Sequence, residues 1–183
     1  TFKDPNDPDG VFRTPTGVAV IYNKFGDPRP VSDMADPARN AGDLPNHHGN
    51  EVGRWAEVVS DKHVREKEGW VRLHPPGDLK MDDAFRGAGQ IDMIYMIPGK
   101  PVRYVIVDAK GLGATLGDTA DGRQMSVSWI LARLDATALT KEQKAAIRRQ
   151  LRDPTIQTSH LLHVDAYGTV TIMNLNANGD RVP

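Results

Sequence analysis

From Asn50 onward the apolar positions follow two alternating rhythms. Val52, Trp55, Ala56 and Val59 stand at i, i+3, i+4 and i+7, the stripe of an amphipathic helix. Asn50 suits the cap, Glu51 the first turn, and the pattern runs to about Lys67. "GWVRL" (69–73) then reads as a short strand, and "PPGDLKMDDAFRGAG" as a loop. Two stronger strands, about 90–97 and 102–109, are joined by the turn "PGKP". The Gly-rich segment "GLGATLGDTADG" leads to a helix predicted over 123–136, with Val127, Ile130, Leu131 and Leu134 as its apolar stripe. Thr140 and Gln143 form a T-x-x-Q capping box for a further helix, which Asp153-Pro154 ends. "SHLLHV", "DAYG" and "TVTIMNL" close the chain as a β-hairpin.

The order is therefore helix, three strands, two helices, two strands. Both middle strands are apolar on each face: Ile91, Met93 and Tyr95 alternate with Ile94 and Met96, and Val105 and Val107 with Tyr104 and Ile106. Strands of that kind belong inside a sheet covered on both sides. The expected class is α/β or α+β, with a central sheet between helices. Residues 1–49 are dense in Pro, Asp, Asn and Gly, and only "GVAVIY" (17–22) reads as a strand there. This predicts an irregular N-terminal arm (1–49) before a folded domain (50–183).

Three charges break the apolar pattern of the middle strands. Side chains two apart on a strand share a face, so Asp108 and Lys110 point the same way. Pairing Asp92 with Asp108 centres the hairpin turn near residue 100, where "PGKP" lies. The hairpin itself thus brings two carboxylates together. Two carboxylates held close repel, and a divalent cation relieves the repulsion. Oxygen donors without cysteine favour Mg²⁺ or Mn²⁺ over Zn²⁺. Lys110 would stabilise an anionic oxygen or hold an attacking water. The plain alternative is an ion pair at the sheet rim, Lys110 with Asp108 or Asp92. A third carboxylate is sought on the first helix. Glu51 lies about 90° from the centre of the apolar stripe, and Glu57 about 150° away, toward solvent. On the following helix Gln124 is placed to orient a water or Lys110, with Arg123 and Ser126 nearby. Met125 and Trp129 read as core.

Bulk composition narrows the classes but does not choose among them. The chain has 183 residues, 39% hydrophobic and 26% charged, ordinary values for a single globular domain. It has no cysteine, which removes disulfides, thiolate metal sites and cysteine nucleophiles. No run of about 18 apolar residues is present to span a bilayer. Net charge is −1, which does not advertise nucleic-acid binding, yet its distribution is uneven. Residues 1–60 carry six basic and nine acidic side chains, and residues 121–183 eight basic and six acidic. The basic excess sits in "KEQKAAIRRQLR", where Arg148, Arg149 and Arg152, with Lys141 and Lys144, form either a solvated face or a track for phosphates.

Other motifs yield to plainer readings. "NHHG" (46–49) invites an HNH nuclease or zinc site but stands in a Pro/Gly loop without a distant third ligand. His63 falls on the stripe of the first helix, as core. His163 and Asp165 share a strand face and read as hairpin residues, although His160 and His163 would line a groove there. "GLGATLG" (111–117) is one residue longer than the common dinucleotide turn and follows a hairpin, where that motif needs a βαβ crossover.

Glu51 on a helix, Asp92, "VDAK" (107–110) and Gln124 on the next helix resemble the PD-(D/E)XK nuclease superfamily. The resemblance spans roughly residues 50–165 and implies a restriction-endonuclease-like αβββαβ core, with the helix 140–152 and the final hairpin added to it. The series "E…GAGQIDMIY…YVIVDAKG…RQMSVSW" is, more narrowly, similar to C-terminal nuclease domains of bacterial polymorphic toxins delivered by contact-dependent, Rhs or type VI systems. What this implies is phosphodiester hydrolysis, with Asp92, Asp108 and Glu51 holding one or two Mg²⁺ and Lys110 positioning water. It also implies a nucleic-acid substrate, DNA favoured over RNA, in the cytoplasm of a target cell, a cognate immunity protein, and delivery within a larger polypeptide. The opening at Thr1 suits a piece of such a polypeptide.

Overall fold

A computed structural model of the chain describes residues 12–13, 19–22, 28–30, 48–79, 89–111, 114–165 and 168–183, with side chains from Gly53 onward. Three short strands, β1 (Phe12–Arg13), β2 (Ala19–Tyr22) and β3 (Pro28–Pro30), pair antiparallel within the segment expected to be an irregular arm with one strand. The main body follows in the predicted order. It comprises α1 (His48–Lys67), β4 (Val71–His74), β5 (Met93–Ile97), β6 (Arg103–Gly111), α2 (Val127–Leu134), α3 (Lys141–Leu151), β9 (Ser159–Val164) and β10 (Val170–Leu175). A two-residue ladder, β7 (Asp118–Thr119) with β8 (Gly122–Arg123), closes the Gly-rich segment after β6.

Five strands form one mixed sheet in the order β10-β9-β6-β5-β4. All neighbours are antiparallel except β6 and β9, which are parallel because α2 and α3 carry the chain across between them. The doubly apolar β6 and β5 lie inside the sheet, as their composition requires. One face carries Met93, Tyr95, Val105, Val107, Ala109, Leu162 and Val164 against Trp55, Ala56, Val59 and Val64 of α1. The other carries Ile94, Ile106 and Leu161 against Trp129, Ile130 and Leu134 of α2 and Ile147 of α3. The molecule is thus α+β, with a sheet covered by helices on both sides.

Local signals explain most boundaries and two corrections. Gly69, at φ 68°, ends α1, and the Trp70 N–H turns back to Val64 O at 3.1 Å. Asn50 lies inside α1, because a cap worth about 1 kcal/mol does not stop a helix that packing sustains through it. Thr140 and Gln143 make the predicted capping box at the start of α3. The helix expected from Arg123 instead starts at Val127, since Met125 has φ 68° and Ser126 is the cap, its hydroxyl accepting the Trp129 N–H at 3.3 Å. That start turns the buried stripe to Trp129, Ile130 and Leu134 and leaves Leu131 exposed. His63, read as core, is half-buried.

Candidate functional site

The β5–β6 hairpin sets the site by register. Met93 pairs with Val107 and Ile97 with Arg103. One step further places Asp92, at the entrance of β5, across from Asp108, so the alignment read from the "PGKP" turn is the one the backbone adopts. Asp92 Oδ2 accepts the Ala109 N–H at 3.3 Å, fixing that carboxylate to β6. Alternation puts Asp108 and Lys110 on the face of Ile106, toward α2.

Asp108 is only 1% exposed. Lys110 Nζ is 2.8 Å from its Oδ2, an ion pair with the one cation that acts on this buried carboxylate among the described residues. Gln124 Nε2 donates to Asp108 Oδ1. Burial, and next the Asp92 carboxyl within hydrogen-bonding reach, push the Asp108 carboxyl well above the usual carboxylate range, and the Lys110 ammonium only partly offsets them. Two facing carboxylates served by a single cation are chemically suited to a hard divalent cation. They are a partial set. Among the described residues no three His, Cys, Asp or Glu side chains cluster as metal ligands, and the Glu51 side chain lies outside them. α1, which carries Glu51, packs on the sheet face opposite Asp108, so a ligand from it has to come past the sheet rim.

The other expected residues fall in three places. Gln124, expected to orient water or Lys110, binds Asp108 directly and accepts the Gly117 N–H through Oε1 at 3.4 Å. Arg123, beside it, reaches Asp180 at 3.6 Å, and Ser126 serves as helix cap. Arg148 pairs with Asp135 at 2.6 Å, whereas Arg149 and Arg152 are exposed. α3 is tied to the sheet where Gln150 Oε1 accepts the Tyr104 N–H at 2.9 Å. Tyr104 stands at the start of β6, about 13 Å along the strand from Asp108 at ~3.3 Å per residue, so this basic group is remote from the carboxylates. Glu57, expected in solvent, lies 2.6 Å from the buried Arg54 and is itself mostly covered. His48 of "NHHG" opens α1, and His47 lies outside the described residues.

One neighbour of the site is a pair read from the sequence as hairpin residues, His163 and Asp165. The parallel register pairs Lys110 with His163, half-buried on the same face, and Asp165 follows two positions on. Their shared strand face was a legible signal; their nearness to Lys110 depends on the crossover through α2 and α3.

No protein-family model, curated protein or solved structure matches the chain. Its functional reading rests on its own residues.

Proposed function

We propose that the chain is a metal-dependent endonuclease hydrolysing phosphodiester bonds of nucleic acid, on a restriction-endonuclease-like core, and that it acts as the nuclease part of a polymorphic toxin. The supporting observation is the facing of Asp92 and Asp108 across the β5–β6 register with Lys110 2.8 Å from Asp108. Asp92 and Asp108, with Glu51, would hold Mg²⁺ or Mn²⁺, which when bound supplies charge neutralisation at the phosphate and a more acidic water. Lys110 contributes a cation at the same carboxylate, positioned to orient water or meet developing negative charge. Gln124 restrains the Asp108 carboxylate. The toxin context adds an immunity protein as partner and the target-cell cytoplasm as place of action. It rests on the sequence resemblance. Among the described residues no helix is long and apolar enough to cross a membrane.

One observation favours a second reading. Lys110 and Gln124 already engage Asp108, as they would in a nuclease-like binding module whose charges only pair. A single titration separates the two: full chain, Asp108→Ala and Lys110→Ala, each with supercoiled plasmid and total tRNA, in Mg²⁺ or EDTA. Metal-dependent cleavage lost in both variants is expected, on plasmid first and with tRNA as the alternative substrate. Folded protein that cuts neither would favour the binding module.

A further inference from the structure

The segment that carries Gln124 is held in an uncommon conformation. Arg123 to Ser126 form a tight turn, closed by the Ser126 N–H on Arg123 O at 3.0 Å. Its third residue, Met125, has φ 68°, the only positive φ at a non-glycine among the described residues. Such turns ordinarily place Gly or Asn there, and a bulky residue stays only where its surroundings hold it. From inside, the Met125 side chain is fully buried with Trp129 and Ile130. From outside, the chain's last turn closes over the backbone.

That last turn is built to be rigid. Asn176 Oδ1 accepts the N–H groups of Asn178 and Asp180 at 2.9 and 3.0 Å, and its own N–H donates to Asp180 O at 2.9 Å. The Val127 N–H donates to Ala177 O at 2.9 Å. Gly179, at φ 81°, lies so close that a Cβ there would stand 2.6 Å from Gln124 O and 3.0 Å from Ser126 N. Both are backbone atoms, which do not swing aside as a side-chain end does. Glycine is required twice over, for its dihedral and for this approach.

We propose that the turn Asn176–Asp180 is a clamp that positions Gln124 on Asp108, with Gly179 as its positioning residue. Pressing on the peptide planes 124–126, the turn keeps Met125 left-handed, and that conformation aims the Gln124 amide at Asp108 Oδ1. The catalytic consequence rests on the nuclease reading; the clamp does not.

The test uses the full chain, ¹⁵N-labelled, and follows the side-chain amide resonances of Gln124. In Gly179→Ala they move toward the positions they take in Asp108→Ala, where the acceptor is gone. Gly69→Ala is the control, since Gly69 has φ 68° with open space around it. It loses stability through the same dihedral but leaves the Gln124 amide unmoved. Should Gly179→Ala not fold, Asn176→Ala loosens the turn without adding atoms and has the same expected result. On plasmid, kcat of Gly179→Ala falls on the order of ten- to a hundred-fold, with KM within about two-fold. Combining Gly179→Ala with Gln124→Ala adds no further loss, since both act through one contact. Gln124 resonances at their wild-type positions in folded Gly179→Ala or Asn176→Ala overturn the clamp, as do losses that multiply. A wild-type chain that cuts nothing while the amide moves as expected rejects the nuclease reading and leaves the clamp standing.

Discussion

Asp61 and Asp108 are carboxylates buried equally well on opposite faces of one sheet, 2% and 1% exposed, yet their surroundings differ in kind. On the α1 face, Asp61 accepts from Tyr95 Oη at 2.8 Å and Arg65 Nε at 3.0 Å, and it pairs with the Arg72 guanidinium. Arg72 in turn donates to the carbonyls of Pro75 and Gly77, fastening the chain after β4 to the helix. Two cations and a hydroxyl therefore compensate one anion. On the α2 face, Asp108 has a single cation, one amide, and a second carboxylate pressed against it. The first arrangement sets two cations against one anion. The second is short of positive charge, and burial makes that shortage costly. On the proposed reading, the difference separates a charge kept for architecture from one that would serve a ligand.

The largest effect that tests this contrast is catalytic. Asp108→Asn keeps the shape and removes the charge. Cleavage is expected to fall by roughly 10³-fold or more, while the urea midpoint stays level or rises because an under-compensated anion has gone. A clear fall in the midpoint would place Asp108 with Asp61 as structural. The reverse holds on the other face. Asp61→Ala takes the carboxylate away from the covered Arg72 guanidinium and the Tyr95 hydroxyl, and a loss of about 3–5 kcal/mol is expected in urea unfolding. Activity per folded molecule should be unchanged. Reduced kcat in folded Asp61→Ala would show that the two faces are coupled.

The Asp108 side of this contrast was far more legible in the sequence than the Asp61 side. A hairpin is local, so "PGKP" and two apolar runs sufficed to align Asp92 with Asp108, and Thr140 with Gln143 announced α3 by their own hydrogen bonds. Asp61 with Arg65 looks like any exposed i, i+4 pair on a helix. Only the sheet brings Arg72 and Tyr95 beneath it. Glu57 misled for the same reason: its angle on the helical wheel is correct, but Arg54 beside it is buried and draws the carboxylate in. His163 reaches Lys110 through a parallel pairing spanning two helices, which no local pattern encodes. Met125 carries no signal for a left-handed residue, because the conformation is imposed by Gly179 and the core.

A smaller effect comes from His160, buried on the α1 face with its ring 5.7 Å from that of Trp70. Burial, with a lesser contribution from the Arg103 charge, pushes its imidazole down to about 4, although a hydrogen bond with Asn174 opposes this. Unfolded, it titrates near the ordinary 6.5. Between those values the unfolded chain takes up a proton that the folded one refuses, so stability falls as pH drops from about 6.5 to about 4. Relative to His160→Gln, the wild type should lose up to roughly 3 kcal/mol across that window, read from urea midpoints. Equal losses in both would mean that the imidazole is protonated in the folded state. The prediction belongs to the architectural face, and Asp108→Asn should leave it intact.

The smallest expected effect bears most directly on what the carboxylate pair is for. A cation that binds only the folded chain stabilises it by about 2.7 kcal/mol when its free concentration is roughly a hundred times Kd. Added Mn²⁺ should therefore raise the urea midpoint of the wild type at pH 7, with no nucleic acid present. Asp61→Asn, less stable at the outset, should keep the full increment, since its charges are remote from the pair. Asp108→Asn and Asp92→Asn should each lose most of it. An increment that survives in both would place the cation elsewhere and return Asp108 and Lys110 to a rim ion pair. An increment lost in Asp61→Asn as well would mean that the ion senses the general integrity of the sheet. Only loss confined to Asp92 and Asp108 makes the missing positive charge a binding site, because only then does the ion answer to the local shortage that distinguishes one buried aspartate from the other.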